Sequence, residues 1–217
     1  MIADMINALP FLGQGFLVTL AVAAVVVAGS LALGVVLGTG ATFGPALLQW
    51  PIRLYADVLR SIPLIVLIFT VYYGAPALGA PMSPFWAACA ALIAFKTAHV
   101  IEIVRGAVGS IAPGQMEAAK SIGLTFTERL RHVIFPQAMR RFLPPWINSV
   151  TDSVKGSALV SLVGVIDLMM AIQQVIGRTY RPMPLYLLGA AIYLTLNFAL
   201  SFASRRVEAR VAAAVAA

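Results

Sequence analysis

Residues 16–39 are apolar throughout except for Thr19, Ser30, the terminal Thr39 and a few glycines. Coiled as a helix rising ~1.5 Å per residue, the run outreaches the ~30 Å hydrocarbon layer of a bilayer and leaves length for tilt. A helix satisfies its own backbone polar groups, which lipid cannot do, so such a run reads as a membrane span. It is preceded by Asp4 and by no base, so it lacks the positive leader of a signal peptide and reads as a retained first span. Composition agrees: 61% of the 217 residues are hydrophobic and 11% charged, where a soluble domain carries about a quarter charged.

The rest of the chain repeats the pattern. Gly34 and Gly38 lie four apart on the first span, a spacing that lets another helix come close. Residues 40–53 are rich in Gly and Pro and predict a short connection. A second span is expected over 54–74, with a kink or late start at Pro63, which lacks a backbone donor. A third is expected over 85–104, after the turn "APALGAPMSP". The fourth is expected to run from about 142 to 162. Its Asn148, Ser149, Thr151, Asp152, Ser153 and Lys155 must face protein or a wet cavity rather than lipid. Residues 158–176, with Asp167, Gln173 and Gln174, suit a shorter helix at the membrane rim, and 185–203 form the last span. The expected whole is one domain, 1–217, with about five transmembrane helices.

Five spans put the termini on opposite sides. Placing Arg53, Arg60, the 105–141 loop, Arg205, Arg206 and Arg210 in the cytoplasm puts 11 of the 15 bases there, in line with the positive-inside bias. The N-terminus is then outside and the C-terminus inside. The net charge of +7 does not indicate nucleic acid, since the bases flank apolar runs instead of forming a patch interleaved with aromatics. The single cysteine, Cys89, reads as a small buried hydrophobe; one thiol excludes an internal disulfide and a cysteine-based metal cluster.

One stretch breaks the apolar pattern: "GQMEAAKSIGLTFTERLRHVIFP", residues 114–136, in the largest cytoplasmic loop. Apolar and polar positions alternate at helical spacing, Gly123 interrupts them, and Thr125 with Glu128 has the form of a capping box. Two short helices meeting at a glycine make a knuckle able to enter a partner's groove. A linker lying on the membrane surface would have the same pattern.

The spacing Glu117-Ala118-Ala119, three residues, Gly123, nine residues, then "VIFP" ending at Pro136 resembles the EAA loop of the permease subunits of binding-protein-dependent ABC importers. The flanks "RSIPLIVLIFTVYYG", "EIVRGAVGSIAPGQ", "FPQAMRRFLPPWIN" and "KGSALVSLVGVIDL" are similar to those of the polar amino-acid uptake family, the histidine, glutamine and glutamate type, over nearly the whole chain. The resemblance implies a type I ABC importer permease fold, with cytoplasmic coupling helices and a short periplasmic-side helix, in a bacterial inner membrane. It implies as partners a cytoplasmic ABC ATPase dimer that binds ATP and Mg, a second permease subunit, identical or paralogous, and an extracytoplasmic amino-acid-binding protein, with no cofactor on this chain. It implies that Glu117 holds the coupling helix to its own loop or to the ATPase, that Ala118 and Ala119 permit close approach, and that Gly123 makes a bend that larger residues would block.

The chain departs from the family pattern at Ser61-Ile62 (usually Gly-Thr), Leu67 (Gln), His99 (Tyr) and Lys155-Gly156 (Lys-Asp). These departures bear on the substrate and fit one half of a heterodimeric pore. Glu102 and Arg105 lie three apart and can pair on one helical face, as an anchor or as a gate; Arg60 reads as an interfacial anchor or a gating residue. Lys96 and His99, and Asp152 and Lys155, are likewise three apart. Either Lys96 or Lys155 pairs with Asp152 to join spans three and four, or one lysine stays in a wet path and meets the substrate's carboxylate.

No nucleophile, metal cluster or carboxylate pair marks an enzyme, His99 and His132 stand alone, and no Gly-rich Walker motif occurs. An alternative is a proton- or ion-coupled secondary transporter relaying through Lys96, Asp152 and Lys155; it leaves the 114–136 loop without a role.

Overall fold

A computed structural model describes residues 2–214, with side chains for 7–206. The side chains of Asp4 and Arg210, used above, lie outside the described residues. The described residues are all-α: α1 (Ile2–Phe43), α2 (Ala46–Ser61), α3 (Leu64–Ala77), α4 (Pro84–Gly109), α5 (Pro113–Ser121), α6 (Phe126–Arg129), α7 (Phe135–Gly156), α8 (Leu168–Thr179) and α9 (Pro182–Ala214). A π-helical turn, Leu130–Ile134, joins α6 to α7, and a 3-10 segment, Ser157–Val163, follows α7.

Three stretches are long and apolar enough to cross a membrane by themselves: Asn7–Phe43, Pro84–Gly109 and Pro182–Arg206. Two bent pairs could each supply another crossing. One is Ala46–Ser61 with Leu64–Ala77, bent by 105°; the other is Phe126–Val163 with Leu168–Thr179, bent by 51°.

The second span, expected over 54–74 with a kink or late start at Pro63, is divided there. At Pro63 the chain does more than kink: Ile62 and Pro63 are both extended (ψ 131° and 132°), and two separate helices result. Proline disfavours the helical conformation in the residue before it, so Ile62 is where helix α2 must stop. The 40–53 connection is also corrected. α1 continues to Phe43 and α2 starts at Ala46, with Pro51 inside it. Pro51 is exposed, and the helix survives its missing N–H because Ile52 and Ala56 bury their faces in a cluster with Ala41, Ala98 and Ile101. The Tyr55 hydroxyl adds a hydrogen bond to the Ala94 carbonyl of α4 at 2.7 Å.

α1 and α4 form the most extensive helix pair. A Cβ at Gly38 would stand 2.7 Å from the Val104 side chain, and one at Gly34 would overlap Val100. The four-residue glycine spacing thus removes the bulk that would hold the helices apart. In lipid this matters more than apolar burial, because the tails solvate leucine as well as another helix does and close packing must supply the attraction. The main core joins Val22 and Val26 of α1, Leu67 and Ile68 of α3, and Ala88, Cys89 and Leu92 of α4. Cys89 is buried there without a partner thiol.

The segment expected as the fourth span, 142–162, is longer and more broken than expected. α7 is helical from Phe135, straight through Pro144 and Pro145, and ends at Gly156. The rim helix begins only at Leu168, after Gly164 turns the chain through φ 87°. Fully buried Asp167 caps α8 by accepting from the Met170 N–H at 2.9 Å, and the Thr19 hydroxyl of α1 accepts from the Leu168 N–H at 3.1 Å. Both serve backbone donors that a helix start leaves unpaired.

Candidate functional site

The charged stretch folds as two short helices. α5 ends in a Schellman closure: the Leu124 N–H reaches the Ala119 carbonyl at 3.2 Å and the Gly123 N–H reaches Lys120 at 3.0 Å, with Gly123 at φ 82°. A β-carbon at Gly123 would meet nothing within 4 Å. Glycine is required there by backbone conformation, not by crowding inside this chain, which revises the steric reason given above. α6 opens with the anticipated box. The Thr125 hydroxyl accepts from the Glu128 N–H, and the Glu128 carboxylate accepts from the Thr125 N–H at 2.8 Å. Thr125's hydroxyl and backbone donors hold the Glu128 carboxyl below its usual range.

Three ties seat this knuckle. The Gln137 side-chain amide donates to Gln115 at 3.2 Å, Arg129 reaches the Met116 sulfur, and Phe126 meets Phe43 of α1 edge-on at 6.0 Å. Glu117 and Ala118 are exposed, and Glu117 has no hydrogen bond or ion pair among the described residues. Ala119 is buried. Pro136 lies one residue into α7; without an N–H it cannot bond the carbonyl of His132, which accounts for the wide π-helical turn just before it.

The second assembly is a cleft of about 910 Å³ between α4 and α7. Lys96, His99 and Glu102 line it from α4, Arg141, Ser149 and Asp152 from α7, and Arg60 from α2. Asp57, Arg60, Glu102 and Arg105 form a chain of charges. Arg60 meets Asp57 at 3.0 Å and Glu102 at 4.0 Å, while Arg105 binds Glu102 within α4. α2 and α4 are thereby linked beside the cleft.

Asp152 pairs with Lys155 at 3.0 Å, but both are on α7 and each side chain is 58% exposed. The pair does not join α4 to α7, because neighbours three apart on one helix reach each other before either reaches across. Lys96 is 6% exposed and has no ion pair or hydrogen bond among the described residues. Of the positions departing from the family pattern, His99 lines the cleft, whereas Leu67 is buried in the core against α4. Sequence reasoning missed Arg141 as a cleft residue and Gln115–Gln137 as a tie. Both depend on how α7 lies against its neighbours, and no local pattern reports that. Among the described residues no group of three or more His, Cys, Asp or Glu could hold a metal ion.

Residues 30–213 match the family described as the inner membrane component of binding-protein-dependent transport systems. The chain is 34% identical to the glutamine transport system permease protein GlnP of Escherichia coli over 206 residues, covering 94% of each chain. It is 32% identical to the arginine transport system permease protein ArtQ of Bacillus subtilis, covering 94% of this chain and 93% of that one. In structure it superposes on an amino acid ABC transporter crystallised with histidines, with TM-score 0.90 and 30% identity over 97% of this chain and 98% of the other. The methionine transporter MetNI, at TM-score 0.76 and 22% identity, shares the fold. The chain therefore belongs to the binding-protein-dependent transport system inner membrane components, as a non-catalytic, multi-pass permease subunit of the polar amino-acid uptake type of ABC importer.

Proposed function

We propose that this chain forms half of the translocation pathway of an ATP-driven amino-acid importer and couples it to a cytoplasmic ATPase through residues 114–136. The observation that carries the reading is the exposed, rigidly capped α5–α6 knuckle, whose Glu117 and Ala118 are exposed and whose Glu117 has no hydrogen bond or ion pair among the described residues. An amphipathic linker lying on lipid would need an apolar face, whereas the exposed residues here include Glu117, Lys120 and Glu128, with Ile122 and Phe126 the large exposed apolar ones. Glu117, Ala118, Ala119, Gly123 and Pro136 are the coupling residues in this account. Arg60, Glu102 and Arg105 clamp α2 to α4 beside the pathway.

The bent pairs count as crossings in the same account, which makes five spans with the N-terminus periplasmic, the C-terminus cytoplasmic and α8 at the periplasmic side. The second permease subunit closes the other side of the α4–α7 cleft, an ATPase dimer carries ATP and Mg, and a binding protein delivers substrate from outside. Co-purification with the ATPase, followed by amino-acid-stimulated ATP hydrolysis in proteoliposomes with the binding protein supplied, tests the reading. Uptake that runs on an ion gradient with no ATPase bound would refute it.

A further inference from the structure

We propose that the pocket enclosed by α1, α4 and the start of α7 holds an acyl chain of an anionic phospholipid of the cytoplasmic leaflet, with the headgroup on Arg131. The leaflet rests on the orientation proposed above; the site itself does not.

The pocket measures about 200 Å³ and lies where the coupling knuckle runs into α7. Val35 and Phe43 wall it from α1, Val104 from α4, and Ala138, Met139 and Phe142 from α7. Thr39 is the one polar side chain in the lining, and its hydroxyl already donates to the Val35 carbonyl at 2.7 Å. Water therefore finds no partners inside, and an engineered apolar cavity of about 150 Å³ stays dry yet admits a benzene-sized molecule. Left empty, the lining forfeits its dispersion contacts; in a bilayer, several methylenes of a lipid tail restore them.

The pocket is open to lipid and not to the partner subunit. α7 turns one face to the cleft through Arg141, Ser149 and Asp152, and another to the pocket. α1 borders the pocket but not the cleft, so the pocket lies on the α1 side, away from the surface that the second permease subunit closes. Its rim is apolar and uncovered: Val36 is 70% exposed and Phe135 60%.

Charge selects the headgroup. Arg131 precedes Phe135, Ala138 and Phe142 at steps of four, three and four, a spacing that keeps to one side of a helix and sets the guanidinium at the cytoplasmic end of the pocket wall. Arg131 is exposed and has no ion pair among the described residues. A second cation, Arg129, lies 5.8 Å over the Phe126 ring, which itself meets the pocket's Phe43 edge-on. Over residues 114–142 the bases Lys120, Arg129, Arg131, Arg140 and Arg141 face the acids Glu117 and Glu128, and Glu128 is engaged by Thr125. A cationic rim over an apolar pocket at the depth of the inner leaflet suits a net-negative headgroup above its tail. A zwitterionic headgroup would bring its own cation to the same arginines.

The test uses the chain assembled with its permease partner and ATPase in phosphatidylcholine nanodiscs. A trace of phosphatidylglycerol or of phosphatidylcholine is added, each with the same diazirine-bearing acyl chain, and crosslinked peptides are mapped by mass spectrometry. Labelling at Leu130–Phe142 is divided by labelling at the lipid-facing Leu194 and Phe198 of α9. The phosphatidylglycerol probe is expected to exceed the phosphatidylcholine probe at least about fivefold, as one cation facing an anionic headgroup supplies. Arg131→Gln is expected to reduce that excess to less than half, and Ala138→Leu, which fills the pocket, to lower labelling there while α9 is labelled as before. Equal labelling by the two probes, an unlabelled pocket beside a labelled α9, or an excess that survives Arg131→Gln in full overturns the assignment. Should either variant fail to assemble, the comparison of the two probes on the wild type decides alone. An unlabelled pocket with the ATPase still bound overturns the lipid site and not the import reading; the expected labelling with no ATPase retained does the reverse.

Discussion

Asp152 and Lys155 pair at 3.0 Å within α7, both more than half exposed, and Asp152 makes no ion pair with Lys96 of α4, which lines the same cleft. An exposed pair three apart on one helix contributes little to stability, ~0.5 kcal/mol or less. Asp152→Asn and Lys155→Gln, singly or together, are therefore expected to leave assembly unchanged, with the melting temperature of the purified complex shifted by no more than about 2 °C. A drop of 10 °C in either single variant, recovered in the double, would show that the pair is a structural joint after all.

The close approach of α1 and α4 sets a sharper stability test. Gly38→Leu places bulk where Val104 already stands, and overpacking of this kind costs about 1–3 kcal/mol. Loss of membrane-inserted protein is expected, with partial recovery in Gly38→Leu/Val104→Ala. Equal expression of wild type and Gly38→Leu would mean that the two helices have room to part.

At the knuckle, conformation and contact can be separated. Gly123→Val forces a β-branched residue to positive φ and is expected to abolish stimulated ATP hydrolysis, while Gly123→Asn, which tolerates that region, keeps a measurable fraction. Glu117→Lys breaks no hydrogen bond or ion pair among the described residues and is expected to lower ATPase association while the protein stays inserted. Normal coupling in both Gly123→Val and Glu117→Lys would remove the docking role.

The capping box makes the knuckle acid-sensitive in one direction. Glu128 is held below its usual carboxylate range, so its contribution is fully present above the unfolded-state pKa and is lost as pH falls through the lowered folded value. Hydrogen exchange of the backbone amides of Phe126 to Arg129, compared between neutral pH and pH near the lowered value after correction for intrinsic rates, is expected to show protection lost on acidification. Thr125→Val is expected to lose it already at neutral pH. Unchanged protection in Thr125→Val would mean that the ties to Gln137 and Phe43 hold α6 without its cap.

Topology is tested by single cysteines introduced at residues 78, 120, 180 and 205 in a Cys89→Ala background. Membrane-impermeant maleimide added to intact cells is expected to label 78 and 180 and to spare 120 and 205. Labelling of 120 from outside would reverse the orientation drawn from the distribution of bases.

The membrane class, the close-packing face at Gly34 and Gly38 and the Thr125–Glu128 box were legible in the residues alone, although that α4 packs on that face was not. Each depends on interactions within a few turns of one helix, or on the energetic rule that apolar runs of sufficient length enter lipid. The break at Pro63 was visible as a weak point, yet its 105° angle was not, because proline ends a helix without specifying where the next one points. The helical state of residues 46–53 was hidden by Pro51 and the glycines, which local propensity counts as breakers; packing of Ile52 and Ala56 on α4 overrode it. Which charges pair was likewise decided in three dimensions. Lys96, Asp152 and Lys155 are compatible with several pairings in sequence, and the structure pairs Asp152 with Lys155 within α7 while Lys96 lines the α4–α7 cleft. Local rules set most of the helices and their caps, whereas the helical state of residues 46–53 and charge partnership across helices follow from how the helices pack, a property carried by no single stretch of the chain.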